Sequence, residues 1–293
     1  MARTSFSFPF ANMAVITTDG IETIVREEGN LSLTDYCILK SLFLADSPMM
    51  MSEFETFLML RSNTLSIATS RLETAGLLEK RSDDVDLRRI SLVITKEGRK
   101  VVKKVLDAIY RRFFEQMWVE ENRDIIIFGM EIDARAYLAC IGQSDSSSPK
   151  GYEAVPGWVM GLKYLEQLWA NEVKRSLGMS LSEFRLLYLL DDKPDGLISR
   201  DAGSILGLER SAFSRVASSM RKQEYVSAKR VEDDRRCFTL HLTKKGKTAV
   251  SRVINTLETL TDNYFASVPK ADLAKQDSWH NLMYKQYLKS LGF

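Results

Sequence analysis

Shifted against itself by 148 residues, this chain repeats its own pattern without a gap. Leu31-Ser32-Leu33-Thr34-Asp35-Tyr36 falls on Met179-Ser180-Leu181-Ser182-Glu183-Phe184, and Leu60-Arg61-Ser62-Asn63 falls on Leu208-Glu209-Arg210-Ser211. Asp86-Leu87-Arg88 falls on Asp234-Arg235-Arg236, Thr95 on Thr243 and Gly98 on Gly246. One accidental resemblance does not hold a single register over such a length, so the chain reads as an internal duplication. The period far exceeds the few tens of residues of a stacked repeat, which implies two domains rather than a solenoid. A length of 293 residues suits two domains, and a 45% hydrophobic content is enough to build two cores.

Within each copy the most informative stretch is a helix followed by a charged hairpin. In Leu208 to Gly246, Phe213, Val216, Ala217 and Met220 recur at the spacing of an amphipathic helix whose other face carries Arg210, Ser211, Ser214 and Arg215. After Tyr225 the period changes to two. Phe238, Leu240 and Leu242 alternate with Thr239, His241 and Thr243, and the polar run from Glu232 to Arg236 precedes them as a hairpin tip. The earlier copy has the same plan: a helix from Ser62 or Asn63, read as its cap, to Ala75, closed by Gly76. Strands follow near Leu78–Ser82 and Arg89–Thr95, with Asp83 to Arg88 between them.

Helix, turn and basic-tipped hairpin make a winged helix-turn-helix, whose helix fits the major groove while the tip reaches the minor groove or the backbone. Leu208-Glu209-Arg210-Ser211 with Ser214-Arg215, then Asp234-Arg235-Arg236 and Leu242-Thr243-Lys244-Lys245-Gly246, resembles the recognition helix, wing and closing threonine–glycine signature of MarR-type regulators. The resemblance implies a mainly α fold with small β-hairpin wings. It also implies a double-stranded, pseudo-palindromic operator as partner and an effector, aromatic or anionic, in a crevice beside the outer helices. Tyr36, Tyr110, Trp158, Trp169 and Tyr188 are the aromatics that could line such a crevice, against the plainer reading of core packing. Family members pair as homodimers. Here one chain holds two tandem heads, so the expectation is an intramolecular pseudo-dimer, with further homodimerisation left open.

The expected DNA contacts are Arg61, Ser62, Asn63, Thr64, Ser66, Asp86, Arg88 and Arg89 in the first copy. In the second they are Arg210, Ser211, Ser214, Arg215, Asp234, Arg235 and Arg236. For the helix serines, simple capping is the competing reading. The copies are unequal, since Arg215 falls on Ile67 and Arg210 on Ser62. Residues 52–99 hold 8 basic and 8 acidic side chains, whereas residues 200–247 hold 12 and 6. Phosphate neutralisation therefore favours the second copy. The weakly charged first copy also suits a protein-interaction module, the alternative to specific DNA binding.

The remaining chain gives boundaries and exclusions. Domains are expected at 1–142 and 157–293, joined by the Gly-, Ser- and Pro-rich linker 143–156. Met1 to Phe10 reads as a loose lead without a clear period, whose aromatics could dock elsewhere, and Ala11 to Glu28 as a helix with a possible break at Thr17–Gly20. A capping signal at Ser32–Asp35 opens a helix to Ala45, and Ser52 to Leu60 forms the next. Outer helices follow Gly98 and Lys247. Three scattered cysteines (Cys37, Cys140, Cys237) and two histidines offer neither a disulfide framework nor zinc spacing, which points to a reducing cytoplasm with no metal and no cofactor. Neither a Gly-rich phosphate loop nor a nucleophile motif is present, so an enzyme is not expected. The chain also lacks a run of roughly 20 apolar residues that would span a bilayer.

Overall fold

The computed structural model describes residues 6–58, 61–82, 90–112, 123–140, 142, 155–230 and 238–293. The first copy runs α1 (Phe8–Gly29), α2 (Leu33–Ala45), β1 (Met49–Met50), α3 (Met51–Phe57), α4 (Ser62–Thr74), β2 (Leu78–Ser82), β3 (Ile90–Ile94), α5 (Lys96–Tyr110) and α6 (Arg123–Cys140). The second runs α7 (Val155–Leu177), α8 (Leu181–Asp191), β4 (Leu197–Ile198), α9 (Ser199–Ile205), α10 (Arg210–Lys222), β5 (Val226–Arg230), β6 (Phe238–Leu242), α11 (Lys244–Tyr264) and α12 (Lys270–Ser290). Leu33 and Leu181, Ser62 and Arg210, Leu78 and Val226, and Lys96 and Lys244 each open equivalent elements, so the 148-residue step of the sequence is the step of the fold.

The chain packs as two compact units, one comprising Thr17–Gly161 and the other the residues up to Ile16 together with Leu162–Phe293. The division falls inside α1 and inside α7. The front of α1 packs with the second copy, and the front of α7 with the first. Residues 143–154 of the expected linker lie outside the described residues.

Local chemistry sets the element starts. Ser32 and Asp35 form a reciprocal cap on α2, with the Asp35 amide donating to Ser32 Oγ and the Ser32 amide to Asp35 Oδ2, both at 3.1 Å. Ser180 and Glu183 repeat it on α8. Capping boxes of this kind satisfy amides that the first helical turn leaves without partners. Both helices are core elements, buried nearly all round through Tyr36, Ile38, Leu39 and Leu42 in one and Phe184, Leu186, Leu187 and Leu190 in the other.

Thr95 and Thr243 cap α5 and α11, each accepting from the amide of the glycine three residues on, at 3.0 and 3.1 Å. Each hydroxyl also donates back to the turn before β2 or β5, to Gly76 O and Glu224 O, at 2.8 Å. This draws the helix start so close that a Cβ on Gly98 would strike the Leu77 carbonyl, and one on Gly246 the Tyr225 carbonyl. The threonine–glycine signature is thus a packing requirement of the wing's base.

Three expectations are revised. Helix α1 is continuous through Thr17–Gly20, because Ile21, Ile24 and Val25 keep the buried stripe in phase with Met13 and Ala14. The cap of α4 is Arg61 rather than Ser62 or Asn63, and it makes no side-chain cap bond. Each hairpin is a three-stranded antiparallel sheet, β1-β3-β2 and β4-β6-β5, with two-residue edge strands that pair Met49 with Leu92 and Leu197 with Leu240. In the unit containing the second copy, the aromatics of the N-terminal lead pack into the core. Phe6 lies edge-on to Trp169 at 5.2 Å and stacks on Tyr188 at 5.7 Å, and Phe10 stacks on His280 at 4.0 Å.

Candidate nucleic-acid interface

Helix α10 turns Phe213 and Met220 inward and leaves Arg210, Ser211, Ser214, Arg215, Ser218, Arg221 and Lys222 exposed. Its thirteen residues carry four cations and no carboxylate. The N-cap position belongs to Glu209 and makes no side-chain bond, so Ser211 and Ser214 are not capping residues and their hydroxyls face outward. From the other face, Ser219 donates to Glu183 Oε1 at 2.6 Å, fixing α10 on α8. Burial raises the Glu183 carboxyl, but hydrogen bonds from Ser219 and Ser180 outweigh it and hold the group below its ordinary value.

Beside α10, β5 adds exposed Lys229 and Arg230, and the Arg221 guanidinium lies 5.7 Å from the Phe238 ring of β6. A recess of about 670 Å³ opens between α9, α10 and β6, lined by Arg200, Gly203, Arg210, Phe213, Arg221 and Phe238 among others. The wing tips, with Asp86, Arg88 and Arg89 in one copy and Asp234, Arg235 and Arg236 in the other, lie outside the described residues.

Three side chains that sequence reasoning passed over hold the C-terminal end of α9, where the turn into α10 begins. Tyr287 Oη donates to Ser204 O at 2.6 Å, Asn12 Nδ2 to Ile205 O at 2.8 Å, and Arg185 Nη2 to Leu206 O at 2.7 Å. Arg185 is 1% exposed and also donates to Asn12 Oδ1. A cation inside the apolar run Phe184–Leu190 was the signal available for it. The equivalent positions in the unit Thr17–Gly161 are Cys37 for Arg185, Met160 for Asn12 and Ala139 for Tyr287, all without charge.

The first head has the same scaffold with different chemistry. Helix α4 buries Leu65, Ala68, Thr69 and Leu72 and exposes Ser62, Asn63, Thr64, Ser66, Ile67 and Ser70, as well as its cap Arg61. Its one basic residue, Arg71, forks onto buried Asp35 through Nε at 3.1 Å and Nη2 at 2.6 Å, and it is offset within the helix by Glu73. Lys80 pairs with Glu73, and Arg81 with Glu79. In the second head, Arg221 stands in place of Glu73 and Ser227 in place of Glu79. Among the described residues, no ion pair joins Arg210, Arg215, Arg221 or Lys222 to a carboxylate.

The five crevice aromatics fall into two sets. Tyr36, Tyr110 and Trp158 belong to the unit Thr17–Gly161, and Trp169 and Tyr188 to the other. Tyr36 and Trp158 are each 1% exposed, and Trp169 is fully buried with its indole donating to Thr261 Oγ1 at 3.0 Å. Among the described residues, no group of three or more His, Cys, Asp or Glu is placed to hold a metal ion, and no helix is long and apolar enough to cross a membrane.

Residues 177–236, from the capping box of α8 to the wing, match the family model described as MarR family. This part of the second head matches the MarR family. The first copy shares the element order of this MarR-type head, element by element. Among solved structures, a crystal structure of MarR is similar at 13% identity, covering 45% of this chain and 90% of that one, with a TM-score of 0.41. The PcaV transcriptional regulator from Streptomyces coelicolor, solved with its natural ligand, is similar at 20% identity, covering 43% and 88%, with a TM-score of 0.36. Sco3205 from the same organism, a MarR family transcriptional regulator solved with DNA, is similar at 19% identity, covering 41% and 75%, with a TM-score of 0.37. No curated protein sequence matches the chain.

Proposed function

We propose that this chain is a sequence-specific, DNA-binding transcriptional regulator of the cytoplasm, acting as a repressor on a double-stranded operator. Helix α10 enters the major groove with Arg210, Ser211, Ser214 and Arg215 toward base edges, and Arg235 and Arg236 of the wing reach the minor groove or backbone. The observation that carries this reading is the exposed face of α10: four cations, no acidic residue, and no carboxylate partner among the described residues. Cations already neutralised within a protein release few counterions from DNA, whereas these remain available for phosphate and guanine.

One chain supplies both heads in this reading. The exchange of helix fronts, α1 to the second unit and α7 to the first, supports a pseudo-dimer in which one chain furnishes what family dimers draw from two. The first head then meets the second half-site through Asn63, Thr64 and Ser66 of α4, with Arg88 and Arg89 at its wing.

The test is fluorescence anisotropy of the full chain against duplexes enriched from a random pool and against scrambled controls, at two salt concentrations. Specific binding that weakens with salt, and that loses about tenfold or more on Arg215→Ala, is expected. Equal, salt-insensitive binding to every duplex would overturn the reading and favour a protein-interaction module.

A further inference from the structure

The two recognition helices are built for different bases. Ile67 stands at the centre of the solvent face of α4, 65% exposed, where α10 carries Arg215. Around it lie Asn63, Thr64, Ser66 and Ser70, all exposed and all uncharged. Under this face Leu65, Ala68, Thr69 and Leu72 are buried and Arg71 is locked to Asp35. The apolar side chain is therefore displayed by a fixed helix.

Base-edge chemistry separates the two faces. A guanidinium donates bidentately to guanine O6 and N7, an asparagine amide pairs with adenine N6 and N7, and an aliphatic group contacts only the C5-methyl of thymine. We infer that the operator is composite: the half-site under α10 is read through guanine, and the half-site under α4 is A·T-rich, with Ile67 and Thr64 against thymine methyls and Asn63 on adenine. This rests on the regulator reading above and assigns the bases that each head selects.

The charge distribution agrees. Arg71 is held by Asp35, Lys80 by Glu73 and Arg81 by Glu79, so α4 and β2 have less to draw them to phosphate than α10 and β5, and this head leans more on base contacts for its register. Cations on α10 and β5 supply the phosphate affinity of the complex from the other side.

The experiment begins with selection of duplexes from a random pool by the full chain, followed by base-analogue substitution in the selected site. One half-site containing guanine and one rich in A·T are expected. Replacing thymine with uracil in the A·T half removes only the C5-methyl and should weaken binding about three- to fivefold per contacted methyl. Replacing guanine with 7-deazaguanine in the other half removes N7 and should weaken it independently. The Ile67→Ala variant, altered at an exposed position, should lose the share of the uracil sensitivity that Ile67 carries, leaving only that of Thr64, while keeping sensitivity to 7-deazaguanine. Two matching guanine half-sites, or indifference to uracil while 7-deazaguanine still weakens binding, would overturn the inference and leave the regulator reading standing. Enrichment of the guanine half alone would also overturn it and assign the first head to a protein partner. Absence of any enriched sequence would overturn the regulator reading, and the inference with it.

Discussion

Arg185 Nη2 and Asn12 Oδ1 lie 2.6 Å apart inside the second unit, joining α8 to the front of α1, and the same guanidinium nitrogen holds the Leu206 carbonyl at 2.7 Å. Truncating one partner of a buried, hydrogen-bonded charge is costly because the other loses its compensation. Asn12→Ala should therefore lower unfolding free energy by about 3 kcal/mol, read from urea titration. In the unit Thr17–Gly161 the equivalent positions are Met160 and Cys37, both buried and uncharged. The double variant Asn12→Met with Arg185→Cys should recover part of that loss, and a double-mutant cycle without coupling would refute the clamp.

Salt dependence should separate the two heads. Arg221→Ala and Lys222→Ala remove cations that have no carboxylate partner among the described residues, and each should flatten the log-affinity against log-salt slope by about 0.9 if its cation contacts a phosphate. Arg71→Ala and Lys80→Ala remove cations already bound by Asp35 and Glu73 and should leave the slope nearly unchanged. Anisotropy titrations over a salt series decide this, and equal slope changes in both heads would refute it.

The base of each wing should tolerate no added carbon. Gly246→Ala places a Cβ against the Tyr225 carbonyl, in the turn before β5, and 2.5 Å from a Leu242 methyl at the end of β6. Overpacking of this kind costs about 1–3 kcal/mol. A lowered melting temperature is expected, with loss of DNA binding following the unfolding curve.

His280 gives the fold a dependence on acid. It is stacked on Phe10 and buried, and burial pushes its imidazolium pKa down to about 3. An unfolded histidine binds its proton near pH 6.5, so between these values the unfolded state holds more protons than the folded one and stability falls as pH falls. About 2 kcal/mol should be lost between pH 6.5 and 5 from this group alone, read from urea midpoints. His280→Phe should flatten that slope, and an unchanged slope would assign the acid sensitivity elsewhere.

The order of helices and strands, the repeat and the reading-helix faces are legible in the sequence because their causes are local. Capping boxes at Ser32 and Ser180 span three residues, the apolar stripes of α4 and α10 repeat every three or four, and Thr95-to-Gly98 and Thr243-to-Gly246 fix the wing bases. Ile67 opposite Arg215 was visible as well, since it needs only the register of the duplication. What required the tertiary structure depends on residues far apart in the chain. Asn12 meets Ile205 across 193 positions and Arg185 across 173, and no local period brings such groups together. The two-residue edge strands are too short to alternate visibly, and they exist only because β3 and β6 offer them a partner. The neutralisation of the first head was likewise hidden. Composition counts Lys80 and Glu73 as two separate charges, and folding places them within 3.4 Å of each other. Local spacing thus determined which elements form, while long-range packing decided which charges are spent inside the protein and which remain for a partner.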